Sequence, residues 1–483
     1  MPTVDVIVKG GKIVNHDGTR EGSVLIEGEK IAGIMAGSEL PEAGEVIDAA
    51  GLYVLPGLID PHMHLQDSSR NPTFSNGDPV YTFEDNVRTE SQSAAGGGVT
   101  TCIPMVFLRR DPGLSFLEIF EESKGFVEKG ATVDFGFSGL ITSDQHIEEL
   151  PRYARELGMT TFKFMMAYRG EEAEMFGVRS VDDGQIITGF EQLAKLHAEG
   201  FPAWAMVHTE NMDIVYHHKA RLKAAGRQDL AAWTEARPSI AEEENLRRAL
   251  FYAESTGAPL YVVHMTIGLG VDLVADAKAR GVNVIAETCP HYLQFTKDDH
   301  DKIDILGQVN PPLRSEWDQE RLWEGIRSGV ISCMGSDQST IMPVTEKRKE
   351  GLWTSIPGFP GTETMLSTLL HEGVNKGRIG LEKVVELCCY NNARVFGIYP
   401  QKGEIAVGSD ADLVLVDLHK KVKVTPDILH SNADYTLLDG MEMEGWPTLS
   451  MVRGTVVMRD GEITGKPGHG AYIPRRASKS AQT

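Results

Sequence analysis

Apolar runs rich in β-branched residues recur along the middle of this 483-residue chain, and segments with helical spacing of apolar positions lie between them. Strands that are apolar along their whole length and alternate with helices are typical of a parallel sheet covered on its outer face. The pattern predicts strands at residues 53–62, 97–105, 133–142, 160–166, 202–209, 259–266, 283–288 and 331–336. It predicts helices at residues 144–157, 184–199, 239–257, 268–280, 316–328 and 362–374.

Eight strands that are each followed by a helix fit a closed (β/α)8 barrel of the TIM type. A doubly wound open sheet is the alternative architecture. No Gly-x-Gly-x-x-Gly segment follows any of the eight strands, so the dinucleotide site that often accompanies such a sheet is not indicated. The barrel is therefore the predicted fold.

Both ends of the chain have a different pattern, with short strands and tight turns. Strands or hairpins are predicted there at residues 5–14, 23–32, 411–416 and 456–463. We therefore expect one small β-sandwich domain formed by residues 1–52 and 400–465, and a catalytic barrel formed by residues 53–399. Residues 466–483 are expected to form a C-terminal tail.

Charge and composition limit the partners. The 47 basic and 69 acidic residues give a net charge of −22, which disfavours a nucleic acid or an anionic membrane as partner. No apolar run reaches membrane-spanning length, and the N-terminus lacks the features of a secretory signal. The five cysteines show no Cys-x-x-Cys spacing, so we expect buried, inert thiols in a reducing cytoplasm.

The candidate chemistry lies at the ends of the predicted strands, where parallel barrels carry their active sites. His62 and His64 are two residues apart, so on an extended strand they face the same side. Neutral imidazole is a common metal ligand. With these two, the strand ends carry Lys163, His208, His264 and Asp337. We leave His146, His217, His218 and His300 as surface residues.

Each of these residues also has a purely structural explanation. A lone histidine is often a core residue, the head of Lys163 could reach solvent, and Asp337 could cap a helix. Their joint position at the strand ends favours a metal site. A protonated lysine would repel a divalent cation. Carboxylation by carbon dioxide would turn Lys163 into an anionic carbamate with one oxygen for each of two metals.

These features resemble the amidohydrolase superfamily and, within it, the D-hydantoinase and dihydropyrimidinase family. The resemblance begins with Pro56-Gly57-Leu58-Ile59-Asp60-Pro61-His62-Met63-His64 and covers nearly the whole chain in family order. Its further motifs lie at residues 97–101, 162–168, 207–211, 263–265, 287–290, 311–314, 335–337 and 403–412.

The resemblance implies a binuclear site, with zinc as the usual metal and manganese as the alternative. It assigns His62, His64 and Asp337 to one ion, His208 and His264 to the other, and N6-carboxylated Lys163 as the bridge between them. A hydroxide shared by the metals would attack the ring amide carbonyl. Asp337 would move its proton to the leaving nitrogen. Tyr168 would donate to the developing oxyanion, although an aromatic residue that packs on a loop is the alternative.

The chain also departs from the family pattern. Asn310 stands where hydantoinases usually have a serine that holds the ring, and Gly358 stands near a family asparagine that reaches the substrate. His291 resembles the allantoinase form of its motif, and Gln338 replaces a common histidine. The loop from Gln66 to Glu90 is longer than usual. It either shapes the substrate pocket or is a tolerated surface insertion.

The resemblance implies a hydrolase that opens a hydantoin, a dihydropyrimidine or a related cyclic imide. An allantoinase-like hydrolase is the second hypothesis, and a non-catalytic scaffold like the dihydropyrimidinase-related proteins is the third. Dihydroorotases place an arginine after the His-x-His pair, and Leu65 and Gln66 argue against their acidic ring substrate. Family relatives are usually homotetramers or dimers whose C-terminal tails cross between subunits, so a homo-oligomer is expected.

Overall fold

The computed structural model describes residues 3–65, 82–106, 114–176, 180–339 and 343–478. Gln66 and most of the loop predicted at residues 66–90 lie outside these ranges. The last part of that prediction is wrong, because helix α1 (Phe83–Gly96) begins before Glu90. The side chain of Thr82 caps this helix by accepting from the backbone N–H of Asp85, as threonine commonly does at the N-terminus of a helix.

Strands are numbered along the chain. They are β1 (Val4–Asn15), β2 (Gly18–Glu27), β3 (Lys30–Met35), β4 (Ala43–Asp48), β5 (Tyr53–Pro56), β6 (Leu58–His64), β7 (Val99–Val106), β8 (Asp134–Phe135), β9 (Ser138–Ile141), β10 (Thr161–Met165), β11 (Trp204–His208), β12 (Leu260–Val262), β13 (Val284–Thr288), β14 (Ile331–Met334), β15 (Gln338–Ser339), β16 (Leu413–Lys423), β17 (Glu442–Val452), β18 (Thr455–Arg459) and β19 (Glu462–Ile463).

The remaining helices cover the outer face of the barrel and its connections. They are α2 (Phe116–Gly130), α3 (Asp144–Arg152), α4 (Gly170–Phe176), α5 (Asp183–Ala198), α6 (Met212–Ala224), α7 (Leu230–Ala236), α8 (Ser239–Thr256), α9 (Gly268–Ala279), α10 (Pro290–Gln294), α11 (His300–Ile303), α12 (Glu316–Ser328), α13 (Val344–Glu350), α14 (Met365–Thr368), α15 (Leu381–Val385) and α16 (Asn391–Val395). All six predicted helices are present, and two of them, 144–157 and 362–374, are completed by π-helical segments at Tyr153–Leu157 and Leu369–Asn375 that follow α3 and α14. No helix in the described ranges is long and apolar enough to cross a membrane.

The parallel barrel is confirmed, and its eighth strand is divided into two pieces. Strand β14 pairs with β13, whereas β15 pairs with β6, so the two pieces join the last strand to the first and close the barrel. Between the pieces, the backbone N–H of Asp337 donates to the carbonyl of His62 at 2.9 Å. Large apolar side chains such as Ile59, Met206 and Tyr261 fill the interior.

The first predicted strand, residues 53–62, is corrected by the structure. It is two strands in two different sheets: β5 pairs with β1 and β16, and β6 begins the barrel. Gly57 lies at the break. A Cβ atom at Gly57 would lie 2.1 Å from the Thr100 hydroxyl oxygen, so only glycine allows the chain to pass there.

The second sheet contains strands from both ends of the chain, as predicted. Its order is β19-β18-β17-β16-β5-β1-β2-β3, and β4 pairs with β1. The hairpin predicted at residues 5–14 is wrong, because β1 continues through Gly10 as one strand with an irregular register between Val8 and Gly11. The domain boundaries at residues 52 and 399 stay a prediction.

A buried charge cluster joins this sheet to the amino-terminal end of the barrel. The Lys402 ammonium lies 2.8 Å from a carboxylate oxygen of Asp134 and 3.2 Å from Asp410, and it also contacts Asp412. Arg453 binds Asp134 from the other side. Asp410 and Asp412 belong to the 403–412 motif, so the structure gives that motif a role in holding the two parts together.

The C-terminal tail, up to Ser478, packs against the barrel of its own chain, and its crossing between subunits stays a prediction. Its backbone pairs with Phe135, and the Tyr472 hydroxyl donates to the carbonyl of Leu157 at 2.8 Å. The Arg475 guanidinium is fully buried and donates to Thr161 at 2.9 Å. The tail therefore covers the end of the barrel opposite the polar strand ends.

Candidate metal centre and active site

The His-x-His pair and Asp337 meet at the junction of the first and eighth strands. The Nε2 atoms of His62 and His64 lie 3.3 and 3.2 Å from the same Asp337 carboxylate oxygen. The three groups offer ligand atoms that all lie within 4.8 Å of one another. Burial raises the pKa of Asp337, but the neighbouring histidines and Lys163 outweigh it, so its pKa is well below the ordinary value.

Lys163 projects into the same cluster from β10. Its side chain is buried, and its Nζ lies 3.3 Å from Nε2 of His62. Among the residues that the structure describes, no carboxylate lies within ion-pair distance of this amine. Burial therefore dominates and lowers the pKa of Lys163 to about 8. A lysine whose neighbours are imidazoles, with no paired carboxylate, has surroundings that do not favour an ammonium ion.

His208 and His264 complete the cluster at the ends of β11 and β12. Their ring centres are 4.5 Å apart, and the ring of His264 is 5.3 Å from that of His62. Burial lowers the pKa of both histidines. Their imidazoles are therefore neutral at pH 7, which is the form that binds a metal.

The backbone is strained where the site residues leave their strands. Tyr168, His264 and Asp337 have φ angles of 55°, 39° and 50°, a region that non-glycine residues seldom adopt. Such conformations persist only where the surrounding structure holds them, and they concentrate at functional sites. Here they turn three side chains from the strand ends toward one point.

Two buried carboxylates that our sequence analysis missed orient the histidines. Glu287 accepts from Nδ1 of His62 at 2.8 Å, from the backbone N–H of His264 at 3.0 Å and from the Tyr261 hydroxyl at 2.8 Å. A histidine held at Nδ1 by a carboxylate presents Nε2 to a metal. The signal was present, because Glu287 interrupts an apolar strand in the same way as Lys163 does.

The second orienting carboxylate is Glu210, which lies 2.8 Å from Nε2 of His208. Arg237 donates to Glu210 at 2.8 Å and to Glu172 at 2.6 Å, and all of these charged groups are buried. Burial raises the pKa of Glu210, but Arg237 and His208 outweigh it and hold the pKa at about 2. The ionised carboxylate leaves Nδ1 of His208 as the nitrogen available to a metal.

The donor set fits a transition-metal centre. Four imidazoles and one carboxylate converge around a buried amine, and two of the imidazoles are oriented by carboxylates on their far nitrogens. The structure thus brings together all six residues predicted as ligands. Which of them bind metal stays a prediction.

A pocket of about 780 Å³, including its open mouth, lies over this cluster. Apolar walls surround a polar floor, as is typical of small-molecule sites. The lining residues are His64, Met105, Leu140, Lys163, Met165, Tyr168, His208, His264, Val309, Asn310, Asp337, Ser339, Pro357 and Gly358.

Tyr168, Asn310 and Gly358 all line the pocket, as the predicted substrate contacts should. The Asn310 amide donates to the Tyr168 hydroxyl at 3.3 Å, and burial raises the pKa of that hydroxyl. The backbone of Gly358 is already engaged: its N–H donates to the carbonyl of Gln308, and its carbonyl accepts from Lys347 and Tyr435. Gly358 therefore forms a wall of the pocket.

The two departures near the site, Gln338 and His291, do not line this pocket. Gln338 is buried and accepts from the backbone N–H groups of Gly361 and Thr362 at 3.1 and 2.8 Å, so it supports the chain behind the site. His291 packs on Phe359 in a neighbouring cleft, and burial lowers its pKa to about 4.

The prediction that His146 and His300 lie at the surface is wrong. Both side chains are buried. Nε2 of His146 lies 2.8 Å from the carbonyl of Leu114, and Nε2 of His300 lies 3.2 Å from the Thr234 hydroxyl. Both partners lie more than 30 residues away along the chain, so nothing adjacent in the sequence indicated the burial.

Comparison with known proteins agrees with this geometry. The model of the amidohydrolase family matches residues 256–457. An L-hydantoinase of Paenarthrobacter aurescens is 37% identical over 477 residues, with 98% of each chain covered. A D-hydantoinase of Rhizobium radiobacter is 36% identical and covers 99% of this chain and 100% of that protein.

The chain belongs to the hydantoinase and dihydropyrimidinase family of amidohydrolases. Solved structures agree with this assignment. The L-hydantoinase (dihydropyrimidinase) of Arthrobacter aurescens has a TM-score of 0.87 at 35% identity, with 98% of this chain and 100% of that chain covered. The dihydropyrimidinase of Brevibacillus agri NCHU1002 has a TM-score of 0.87 at 32% identity, with 98% of both chains covered. This family member is therefore a hydrolase that acts on cyclic amides, and the non-catalytic hypothesis is wrong.

Proposed function

We propose that this enzyme opens the ring amide of a hydantoin, a dihydropyrimidine or a related cyclic imide, using two divalent metal ions. The observation that carries the proposal is the convergence of His62, His64, His208, His264 and Asp337 around buried Lys163. When bound, the metals supply a nucleophile from water at neutral pH and polarise the ring carbonyl. Zinc fits this nitrogen-rich donor set best, and manganese is the alternative.

Lys163 would bridge the metals as a carbamate. Its neutral amine nitrogen would attack the carbon of carbon dioxide, so that a C–N bond forms, one C=O π bond opens and one N–H proton leaves to solvent. The product is a carbamate whose single negative charge is shared by two oxygens. The buried position without a paired carboxylate supports this role, because the neutral amine is the form that reacts. His62, His64 and Asp337 would hold one ion, and His208 and His264 would hold the other.

The chain's own residues would then orient the ring and move protons. Tyr168 would donate its hydroxyl proton in a hydrogen bond to the oxyanion that develops on the carbonyl oxygen. Burial keeps this hydroxyl protonated, as a donor requires. Asp337 would accept a proton at its carboxylate and deliver it to the leaving ring nitrogen. Asn310 would hold Tyr168 in place and contact the ring.

The pocket favours an uncharged ring with an apolar substituent. Met105, Leu140, Met165, Val309 and Pro357 line its walls. No arginine lines it among the residues that the structure describes, so nothing there would pair with the carboxylate of an acidic ring. His291, which motivated the allantoinase alternative, lies outside the pocket, and no second substrate class is favoured.

A substrate panel tests this proposal. Purified enzyme loaded with zinc or manganese and bicarbonate should open hydantoin, 5-substituted hydantoins or dihydrouracil faster than allantoin or dihydroorotate. Metal analysis should give about two ions per chain. Protein that binds no divalent metal and opens no ring after this loading would contradict it.

We further propose a cytoplasmic location and a homotetrameric or dimeric assembly, following the family resemblance. Light scattering coupled to size-exclusion chromatography tests the assembly. A mass of one chain across micromolar concentrations would contradict it.

A further inference from the structure

One chain segment separates the active-site pocket from a second cleft. We call residues 357–361 the partition. Its first two residues line the active-site pocket, whereas Phe359, Pro360 and Gly361 line a cleft of about 300 Å³ on the other side. A wall with open space behind it is not fixed by close packing alone. Phe359 packs in the core and against His291, so the position of the partition depends on this packing together with its hydrogen bonds.

Two hydrogen bonds join the partition to β15: the Ser339 N–H donates to the Phe359 carbonyl at 3.2 Å, and the Gly361 N–H donates to Gln338 Oε1 at 3.1 Å. Three more are made by Gly358. Its N–H donates to the Gln308 carbonyl at 2.8 Å, and its carbonyl accepts from the Lys347 ammonium at 2.6 Å and the Tyr435 hydroxyl at 3.0 Å. Gly358 has a φ of 121°, and a Cβ there would lie 2.7 Å from that of Ser339. The partition therefore lies close against β15, and Gly358 is the residue at which the Lys347 and Tyr435 side chains hold it.

Lys347 is an unusual anchor. Its side chain is almost completely buried, and among the described residues no carboxylate lies within ion-pair distance. Its ammonium lies 5.6 Å from the centre of the Tyr435 ring. Burial lowers the pKa of this lysine to about 7. Burying a lysine without a carboxylate partner costs folding free energy, and the Gly358 carbonyl and the Tyr435 ring are the groups that offset this cost here.

Tyr435 comes from a different part of the molecule. It lies in the connection between β16 and β17 of the terminal sheet, which crosses to the active-site end of the barrel. The same connection contains Asp434, whose carboxylate accepts from the N–H of Val344 at the start of α13. It also contains His430, whose Nδ1 lies 2.7 Å from a carboxylate oxygen of Glu363. The terminal sheet domain thus holds both the helix of Lys347 and the partition.

We propose that Lys347 and Tyr435 are positioning residues that fix the partition and thereby set how large a ring substituent the active-site pocket accepts. The inference rests on the proposed function only in taking a substituted ring as the substrate. Neither residue lines the pocket itself. Both act through the carbonyl of Gly358.

The test uses Lys347→Met and Tyr435→Phe in the full-length, metal-loaded enzyme. Lys349→Met is the matched control, because Lys349 lies on the same helix with its ammonium paired to Glu346 at the surface. Hydrogen exchange followed by mass spectrometry should show the amide of Gly358 exchanging about tenfold faster in Lys347→Met and less so in Tyr435→Phe. The control should exchange like the wild type.

Kinetics supply the second measurement. The ratio of kcat/KM for 5-phenylhydantoin to that for unsubstituted hydantoin should shift by about threefold to tenfold in Lys347→Met, mainly through KM. A merely structural role would lower the active fraction and leave this ratio and both KM values unchanged.

The outcomes separate the two proposals. Unchanged exchange at Gly358 together with an unchanged substrate ratio in both variants overturns the positioning role. A wild-type enzyme that opens no ring of the substrate panel, dihydrouracil included, overturns the proposed function, and the exchange experiment alone then decides the positioning role of Lys347 and Tyr435. If Lys347→Met does not fold, Tyr435→Phe decides.

Discussion

Two lysines of this enzyme are buried to nearly the same degree and lie in opposite surroundings. Lys163 sits among imidazoles at the carboxyl end of β10, and burial lowers its pKa to about 8. Lys402 sits among three aspartates at the junction between the terminal sheet and the barrel. Burial opposes its charge too, but the carboxylates outweigh burial and raise its pKa well above the ordinary value.

The difference shows what each end of the barrel does. At the junction, opposite charges neutralise one another, and the cluster holds two parts of the molecule together. At the strand ends, no carboxylate in the described part of the chain pairs with Lys163, so burial favours its neutral amine. A buried lysine is thus informative only together with its neighbours, which matches the division between stability and catalysis at the two ends of such barrels.

The largest effect expected is that of Lys163→Ala. Without the bridging group, the metal content should fall and the hydrolytic rate should drop by about a thousandfold or more. The fold should survive, because alanine removes a buried amine that has no counter-ion. Elemental analysis, rate assays and far-ultraviolet circular dichroism measure these three quantities. Full activity with two bound metals would remove the bridging role.

Lys402→Met should have the opposite pattern. It removes the buried cation that three aspartates share and leaves Asp412 without an ion-pair partner among the described residues, so the free energy of unfolding should fall by about 3–5 kcal/mol. The rate per folded molecule should stay the same. Urea unfolding measures the first quantity. Lys30→Met is the matched control, because Lys30 binds Asp410 from the surface and its loss should cost less than about 1 kcal/mol. Equal losses in the two variants would contradict the central role of Lys402.

Glu287→Gln tests the carboxylate that orients His62 next to Lys163. The substitution keeps the shape and removes the charge that orients His62. Metal affinity should fall by about 10-fold to 100-fold, as is usual for groups that orient metal ligands. Competition with a chelator measures the affinity. Glu254→Gln, which changes an exposed carboxylate of α8 that pairs with Arg280, is the control. Equal affinities in both variants would contradict the orienting role.

The last prediction concerns Lys347, whose pKa is lowered by burial, whereas the pKa of Lys402 is raised by its carboxylates. The folded pKa of Lys347, about 7, lies below the ordinary value of 10.5, so the unfolded chain binds the extra proton between these values. Stability of the wild type relative to Lys347→Met should therefore rise with pH above about 7, by at most about 1.4 kcal/mol per pH unit. Urea unfolding at pH 7 and pH 9 measures it. A constant difference would show that this lysine stays protonated.

Sequence patterns predicted the barrel and the ligand cluster for one physical reason. A polar residue that ends an apolar run stands out, and parallel strands bring all such ends to one edge. His208 and Asp337 are 129 positions apart in the chain, yet each could be placed by its own strand alone. The architecture supplied the rest.

Features that depend on a distant partner could not be predicted. The burial of His146 depends on Leu114, and the anchoring of Gly358 depends on Tyr435 from the other domain. The break at Gly57 depends on Thr100 across the sheet. None of these contacts produces a periodic pattern of apolar residues in the sequence, because each is made by one pair of residues rather than by a whole face of a helix or strand.

The divided eighth strand places the candidate metal site where the first and last strands of the barrel meet. His62 and Asp337 lie on the first and last strands of the barrel, and β15 pairs with β6 only when the cylinder closes. During synthesis, the histidine pair leaves the ribosome long before the aspartate does. The candidate metal site therefore cannot form on a partial barrel, and we expect hydrolytic activity to appear only after the barrel has closed.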